Sequence, residues 1–286
     1  MVSISGYPLL HETLTDDEIV DYYEAHTLTP PTSSPNLRNK PPSSITTSST
    51  NFRNGRLVHL PPSAIIKSGL YVYDEALNLL AVSRILYKSV VRVPTVYRMF
   101  EKDGVGYLVM EYIPGRQLNL EDTEEVNWLV EKVVGIVEYF WGIKNCVPGA
   151  VGGGVCRGYW WSSDFPRFEG VEGLEEWVNR RLLNGEKVWK LEDREMVLCH
   201  LDLVSRNILI VDEDGEKNVA VVDWESAGWF PKIFEIARLE AVVSNGGREV
   251  KFERKLLKRL VEMLGDEGRD LELVEGIRRA WEGVQG

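Results

Sequence analysis

The order of its elements predicts an α+β chain of two lobes: a small antiparallel-sheet lobe with one helix, then a larger, mainly helical lobe. Three observations lead there. Residues 52–113 read as strands around a single helical stretch, apolar residues beyond Pro114-Gly115 recur at helical spacing, and a hairpin pattern fills 208–222. The expected divisions are 1–50, an N-terminal helix with a Pro/Ser/Thr-rich segment; 51–113, the first lobe; and 114–286, the second.

Thr15-Asp16-Asp17-Glu18 is a capping box, in which the Thr15 hydroxyl accepts from the Glu18 amide and the Glu18 carboxylate reaches back. Ile19, Val20, Tyr22 and Tyr23 give the helix an apolar side up to about His26. From Thr27 to Thr50 the chain is dominated by Pro, Ser, Thr and Asn, so it has little apolar area to bury and reads as a linker or mobile loop. Asn54-Gly55 is a hairpin-turn signal. Leu57–Leu60 and Ala64–Lys67 follow as strands, Tyr73 to about Tyr87 as a helix, and Thr95–Phe100 and Val105–Tyr112 as two strands joined by Asp103-Gly104. In the second lobe Asp122 is placed to cap a long helix carrying Val126, Leu129, Val130, Val133, Val137 and Phe140. Gly149–Gly158 is a glycine-rich loop, and helices are expected at Gly173–Leu183, Ile233–Val243, Phe252–Leu264 and Leu271–Glu282.

Composition narrows the functions. With 286 residues, 44% of them hydrophobic, the chain buries a substantial core. Its formal net charge of −11 opposes nucleic acid and anionic lipid, while the overall field favours a cationic acceptor without selecting one. Three cysteines, Cys146, Cys156 and Cys199, match no zinc spacing and no disulfide framework. No basic region followed by an apolar stretch opens the sequence, and no apolar run approaches eighteen residues; the expectation is a soluble, cytoplasmic protein.

The chemistry lies in Cys199-His200-Leu201-Asp202-Leu203-Val204-Ser205-Arg206-Asn207-Ile208-Leu209-Ile210 and, sixteen residues after the asparagine, Asp223-Trp224-Glu225. Strands at 208–211 and 219–222 joined by a turn at 212–215 form an antiparallel hairpin, whose outer ends meet. Asn207 and Asp223 are therefore expected side by side. An amide oxygen and a carboxylate are hard ligands, suited to Mg²⁺ held jointly with nucleotide phosphates. Asp202, on the preceding loop, is within range of an acceptor hydroxyl. Kinases use this arrangement: one Asp orients the hydroxyl and accepts its proton, and an Asn and a second Asp hold the metal. The structural alternative has His200 buried, Asp202 capping a turn, and Asn207 and Asp223 as ordinary strand-end residues.

At these residues the sequence resembles the aminoglycoside phosphotransferase-like family, especially its uncharacterised fungal branch, from about Phe52 onward. The resemblance implies a bilobal protein-kinase-like fold, with 51–113 as the nucleotide-binding lobe and 114–286 as the catalytic and acceptor-binding lobe. Ala64-Ile65-Ile66-Lys67 resembles the strand of the nucleotide lysine, Asp74-Glu75-Ala76-Leu77 the helix of its glutamate, and Gly106–Gly115 the hinge. It implies that Lys67 contacts the α- and β-phosphates of ATP and that Glu75 holds its ammonium, with Asp74 the adjacent alternative. Main-chain groups of Glu111 and Ile113 would meet adenine, Asp202 would be the catalytic base, and Asn207 and Asp223 would bind Mg²⁺. His200 is expected to brace the loop through backbone and Trp224 to pack where protein kinases have Phe.

Departures from the family qualify this. His200-Leu201-Asp202 stands for the usual His-Gly-Asp, and Val204-Ser205-Arg206 for the common His-Pro-Gly, so acceptor contacts of drug-modifying members do not transfer. No Gly-x-Gly-x-x-Gly precedes Lys67. The stretch Arg157–Phe165 reads as an aromatic wall with Asp164 as anchor, or, preferred, as rings packing the lobe; Glu225 and Trp229 are further acceptor candidates. The sequence leads to an ATP-dependent transfer to a hydroxyl of a small molecule, with a catalytically inactive kinase-fold protein that binds nucleotide or a partner as the alternative. Protein phosphorylation is disfavoured, because no Ala-Pro-Glu segment follows Asp223.

Overall fold

Alternating apolar side chains build the first lobe of the computed structural model, which describes residues 9–27, 57–161, 164–182, 190–191, 194–213, 215–246, 250–265 and 274–278. Strands β1 (Leu57–Leu60), β2 (Ala64–Gly69), β3 (Val96–Lys102) and β4 (Val105–Glu111) form an antiparallel sheet in the order β1-β2-β4-β3. Successive strand residues face opposite sides. Ile66, Tyr107 and Val109 therefore cluster with Ile19, Val20 and Tyr23 of helix α2 (Asp16–Thr27), which follows the short helix α1 (Leu10–Thr13). On the other face Ile65, Leu108 and Met110 pack in one core with Ala76 and Leu79 of helix α3 (Val72–Ile85). The capping box forms as read: the Glu18 amide donates to Thr15 Oγ1 at 3.3 Å, and the Thr15 amide donates to Glu18 Oε2 at 2.8 Å. All but the first residue of the Thr27–Thr50 segment, and the Asn54-Gly55 turn, lie outside the described residues.

Helix α4 (Thr123–Trp141) runs through the second lobe, capped by Asp122, whose carboxylate accepts from the Glu124 and Glu125 amides. Its apolar side packs in the same core as α5 (Val171–Asn179), α6 (Lys232–Asn245) and α7 (Lys251–Leu264). Residues 274–278 are helical as well. The hairpin forms as expected in kind, β8 (Ile208–Glu213) pairing antiparallel with β9 (Glu216–Val221), Ile208 opposite Val221, with both strands reaching into the expected turn at 212–215 or up to it. A second antiparallel sheet was not anticipated: β5 (Lys144–Asn145), β7 (Met196–Cys199), β10 (Gly228–Phe230) and β6 (Gly149–Ala150), in that order. Strands of two or three residues are too short to show alternation, and β7 is buried throughout, so no period marks it.

Helix α3 is fastened to the second lobe. Asn78 Nδ2 donates to the carbonyls of Trp224 (3.0 Å) and Glu225 (3.1 Å), and Asn78 Oδ1 accepts from the Gly152 amide (2.9 Å). The loop approaches so closely that a Cβ on Gly152 would lie 2.5 Å from the Leu77 carbonyl carbon, which explains a glycine there. Beside it Arg157 Nε donates to Asp74 Oδ2 (2.7 Å), its guanidinium lying over the adjacent rings of Tyr71 and Phe165. No helix among the described residues is long and apolar enough to cross a membrane.

Candidate active site

The position of Lys67 follows from strand alternation. It shares a face of β2 with Ile65 and is directed towards α3, where Nζ meets Glu75 Oε2 at 2.5 Å. Asp74, the alternative partner, is instead engaged by Arg157. Lys67 Nζ also donates to Asp223 Oδ1 at 3.1 Å, across 156 residues of sequence. Burial acts to lower the Lys67 pKa, but the carboxylates of Asp223 and Glu75 outweigh it and hold the ammonium above its ordinary range. Asp223 is held below the usual carboxylate range by the Lys67 charge, against the opposing effect of burial. Burial pushes the Glu75 carboxyl up, to about 7, against the pull of Lys67.

The hairpin brings Asn207 and Asp223 together as expected. The Val222 amide donates to the Asn207 carbonyl (2.9 Å), so Asp223 is the next residue out from Asn207's neighbour. Asp223 takes a left-handed conformation (φ 63°, ψ 64°), which Asp tolerates better than most residues and which turns the chain out of the hairpin. Asn207 Nδ2 donates to the Asp202 carbonyl (3.0 Å) and Asp202 Oδ2 (2.7 Å), which assigns Oδ1 to the other end of the amide.

The loop carrying Asp202 is braced from beneath. Leu201 has φ 60°, an uncommon value for a branched apolar residue and one that glycine adopts without strain. Glu235 on α6 holds this conformation: its buried carboxylate accepts from the His200 amide (2.7 Å) and the Leu201 amide (3.0 Å). Burial raises the Glu235 pKa to about 7. His200 Nδ1 accepts from the Asp202 amide (3.2 Å), which leaves Nε2 to donate to the Val222 carbonyl (3.2 Å). Burial lowers its pKa, so the neutral ring ties the loop to the hairpin. Trp224 is fully buried against His200 and Phe140.

Asp202 itself is surrounded by donors. Arg238 Nη2 reaches Oδ1 at 2.7 Å, and Arg206 Nη2 reaches Oδ2 at 2.7 Å beside Asn207 Nδ2. Ser205, at the start of the turn, is held by Glu253, which accepts from its amide (2.7 Å) and hydroxyl (2.8 Å). Glu235, Arg238, Arg206 and Glu253 were not singled out from the sequence. Glu235 and Arg238 left a signal: two charges three residues apart within the otherwise apolar run Ile233–Leu239.

The donor set fits a hard divalent cation. Glu75, Asp223 and Glu225 bring carboxylate oxygens within 4.8 Å of one another. Asp223 Oδ2 and Asn207 Oδ1 make no hydrogen bond among the described residues, and oxygen-only ligands suit Mg²⁺.

At the hinge, the Glu111 amide donates to the Thr95 carbonyl (2.8 Å) and its carboxylate is held by Arg92 Nη2 (2.6 Å) and Thr95 Oγ1 (3.0 Å). The Tyr112 amide donates to Ser63, and the Ile113 carbonyl accepts from Gly115. The Ile113 amide has no hydrogen-bond partner among the described residues. On the acceptor side, Trp160 and Trp161 are buried in the core, in line with the packing reading, and Asp164 pairs with Arg181. Tyr159 stays partly exposed, its ring 4.2 Å from the Arg238 guanidinium. Ser162 and Ser163 lie outside the described residues.

Comparison with known proteins places this arrangement. No curated protein sequence matches the chain. A thermostable mutant of aminoglycoside phosphotransferase APH(4)-Ia, in its apo form, superposes with a TM-score of 0.58 at 15% identity, over 85% of this chain and 86% of that one. The same enzyme in ternary complex with AMP-PNP and hygromycin B gives 0.54 at 15% identity, over 85% of each chain. A microcompartment-associated aminopropanol kinase gives 0.50 at 15% identity, over 95% of this chain and 90% of that one. At these identities the likeness is one of fold. The chain thus has the α+β kinase-like fold of the aminoglycoside phosphotransferases, and its residues 158–273 match the phosphotransferase enzyme family.

Proposed function

We propose that the protein is an ATP-dependent phosphotransferase that moves the γ-phosphoryl group to a hydroxyl of a small molecule. The observation that carries this reading is the convergence of Lys67, Glu75 and Asp223 at the mouth of the hairpin whose other strand begins beside Asn207 and Asp202. In this reading the Glu111 carbonyl and the Ile113 amide meet the adenine edge. Lys67, already fully charged, contacts the α- and β-phosphates. Asn207 and Asp223 hold Mg²⁺, with Glu225 close enough to join them. The ion's contribution is to neutralise charge on the phosphate oxygens as it moves from the γ-phosphoryl to the leaving ADP.

Asp202 orients the acceptor hydroxyl and takes its proton as the new oxygen–phosphorus bond forms and the bond between the γ-phosphorus and the β-phosphate oxygen breaks. A loose transition state needs positioning more than a strong base. Glu235, His200 and Asn207 act as positioning residues, because they fix the Asp202 loop against the hairpin.

The test is ATP consumption by the purified protein against pooled hydroxyl metabolites and aminoglycosides. Acceptor-dependent, Asp202-dependent turnover is expected. Nucleotide binding with no turnover in any pool would favour the second reading, a kinase-fold protein that binds without transferring. The lack of a glycine-rich motif before Lys67 speaks for that reading.

A further inference from the structure

We infer that the acceptor is an alcohol bearing its own anionic group, a carboxylate or a phosphate, and that Arg206 is the residue that selects it. The inference rests on the phosphotransfer reading and names its substrate class.

Two guanidinium groups converge on one carboxylate. Arg206 and Arg238 each place an Nη2 at 2.7 Å from a different oxygen of Asp202. The other acids beside this loop, Glu235 and Glu253, are buried and spent on the His200, Leu201 and Ser205 amides, so Arg206 is the charged group that borders Asp202 on its exposed side. Asp223, Glu225 and Glu75 lie together on the Lys67 side, where Lys67 pairs with Asp223 and Glu75.

The two arginines differ in what they have left to offer. Arg238 is 6% exposed, lies against Tyr159, and has its Nε buried with no hydrogen-bond partner among the described residues, so it is a fixed part of the wall. The Arg206 side chain is 63% exposed and spends a single nitrogen on Asp202. A guanidinium carries five donors in a planar fork, so the outer edge of Arg206 is available to a second anion without releasing Asp202. An ammonium near the reacting hydroxyl would meet two cations at close range in a partly desolvated site, a juxtaposition that discriminates strongly.

The experiment takes the full chain and first measures Mg²⁺-AMP-PNP binding, which tests the nucleotide site that the phosphotransfer reading requires, independently of the acceptor. ATP turnover is then measured against four separate pools: hydroxycarboxylates, phosphorylated alcohols, neutral polyols, and amino alcohols with aminoglycosides. Turnover with a hydroxycarboxylate or a phosphorylated alcohol is expected, and the two anionic pools distinguish which anion is used. Arg206→Gln should raise KM for that acceptor by about tenfold or more, as loss of a charge-assisted contact does. It should also narrow the preference over the neutral analogue of the same skeleton, and Arg206→Lys should restore part of it. Failure to bind nucleotide would defeat the phosphotransfer reading and this inference with it. Turnover confined to the neutral or amino-alcohol pools, or a preference unmoved by Arg206→Gln, would overturn the inference and leave that reading standing, whereas nucleotide binding without turnover in any pool would overturn both.

Discussion

Replacing Lys67 by methionine removes the one cation between two carboxylates and keeps a similar apolar stem. Glu75 is 2% exposed, so the change leaves a buried carboxylate with no counter-charge. Breaking one side of a buried pair costs about 3–5 kcal/mol. The sign of the pH dependence follows from Glu75. Burial already pushes its carboxyl up to about 7, and loss of Lys67 removes the main force pulling it down. A carboxyl whose folded pKa exceeds its unfolded value, about 4.3, makes the fold less stable as pH rises through that interval. The penalty of Lys67→Met should therefore be largest near pH 8.5 and smaller near pH 6, where Glu75 is protonated. Urea unfolding of the wild type, Lys67→Met, Glu75→Gln and the double variant at both pH values measures it. The double variant should be more stable at pH 8.5 than Lys67→Met alone, because the stranded charge is gone. A cost below about 1 kcal/mol at pH 8.5, with additive single effects, would refute the reasoning.

Three further outcomes are expected. Glu235, pushed to about 7 by burial, makes the wild type lose up to about 3 kcal/mol as pH rises from 5 to 7.5, in addition to the loss from Glu75; Glu235→Gln should reduce the slope in denaturant titrations by that share, and identical slopes would contradict it. Asn78→Ala strands two carbonyls and one amide between α3 and the second lobe, and should cost about 2–3 kcal/mol by urea unfolding, with no change arguing against that fastening. Expression in an aminoglycoside-sensitive bacterium should leave drug tolerance unchanged, since Val204-Ser205-Arg206 departs from the drug-modifying pattern; a large Asp202-dependent rise would refute this.

The first lobe was legible because its strands are short apolar runs bounded by turns that carry glycine or proline, so β1 to β4 and α3 fall within a few residues of their expected bounds. The hairpin was legible for a stronger reason: antiparallel pairing alone brings the ends at Asn207 and Val222 together and leaves Asp223 as the next residue out. The second sheet was not, since β5 and β6 are two residues each. The charged residues around Asp202 were hidden in another way. Glu235 and Arg238 act through a loop more than thirty residues earlier, and no local pattern encodes that distance. The choice between Asp74 and Glu75 was likewise settled by packing, once Arg157 arrived from the second lobe to occupy Asp74.

The central claim is that two aspartates at this site have different tasks, and nucleotide titration of two variants tests it most directly. Asp202→Asn should bind Mg²⁺-ATP nearly as the wild type does while turnover falls by orders of magnitude, because Asp202 acts on the acceptor. Asp223→Ala should weaken nucleotide binding in the presence of Mg²⁺, with partial recovery at high Mg²⁺ through Asn207. Calorimetric titration of ATP into both, with and without Mg²⁺, gives the answer. Loss of ATP binding in the Asp202 variant with retention in the Asp223 variant would reverse the roles, and no effect in either would contradict the account altogether.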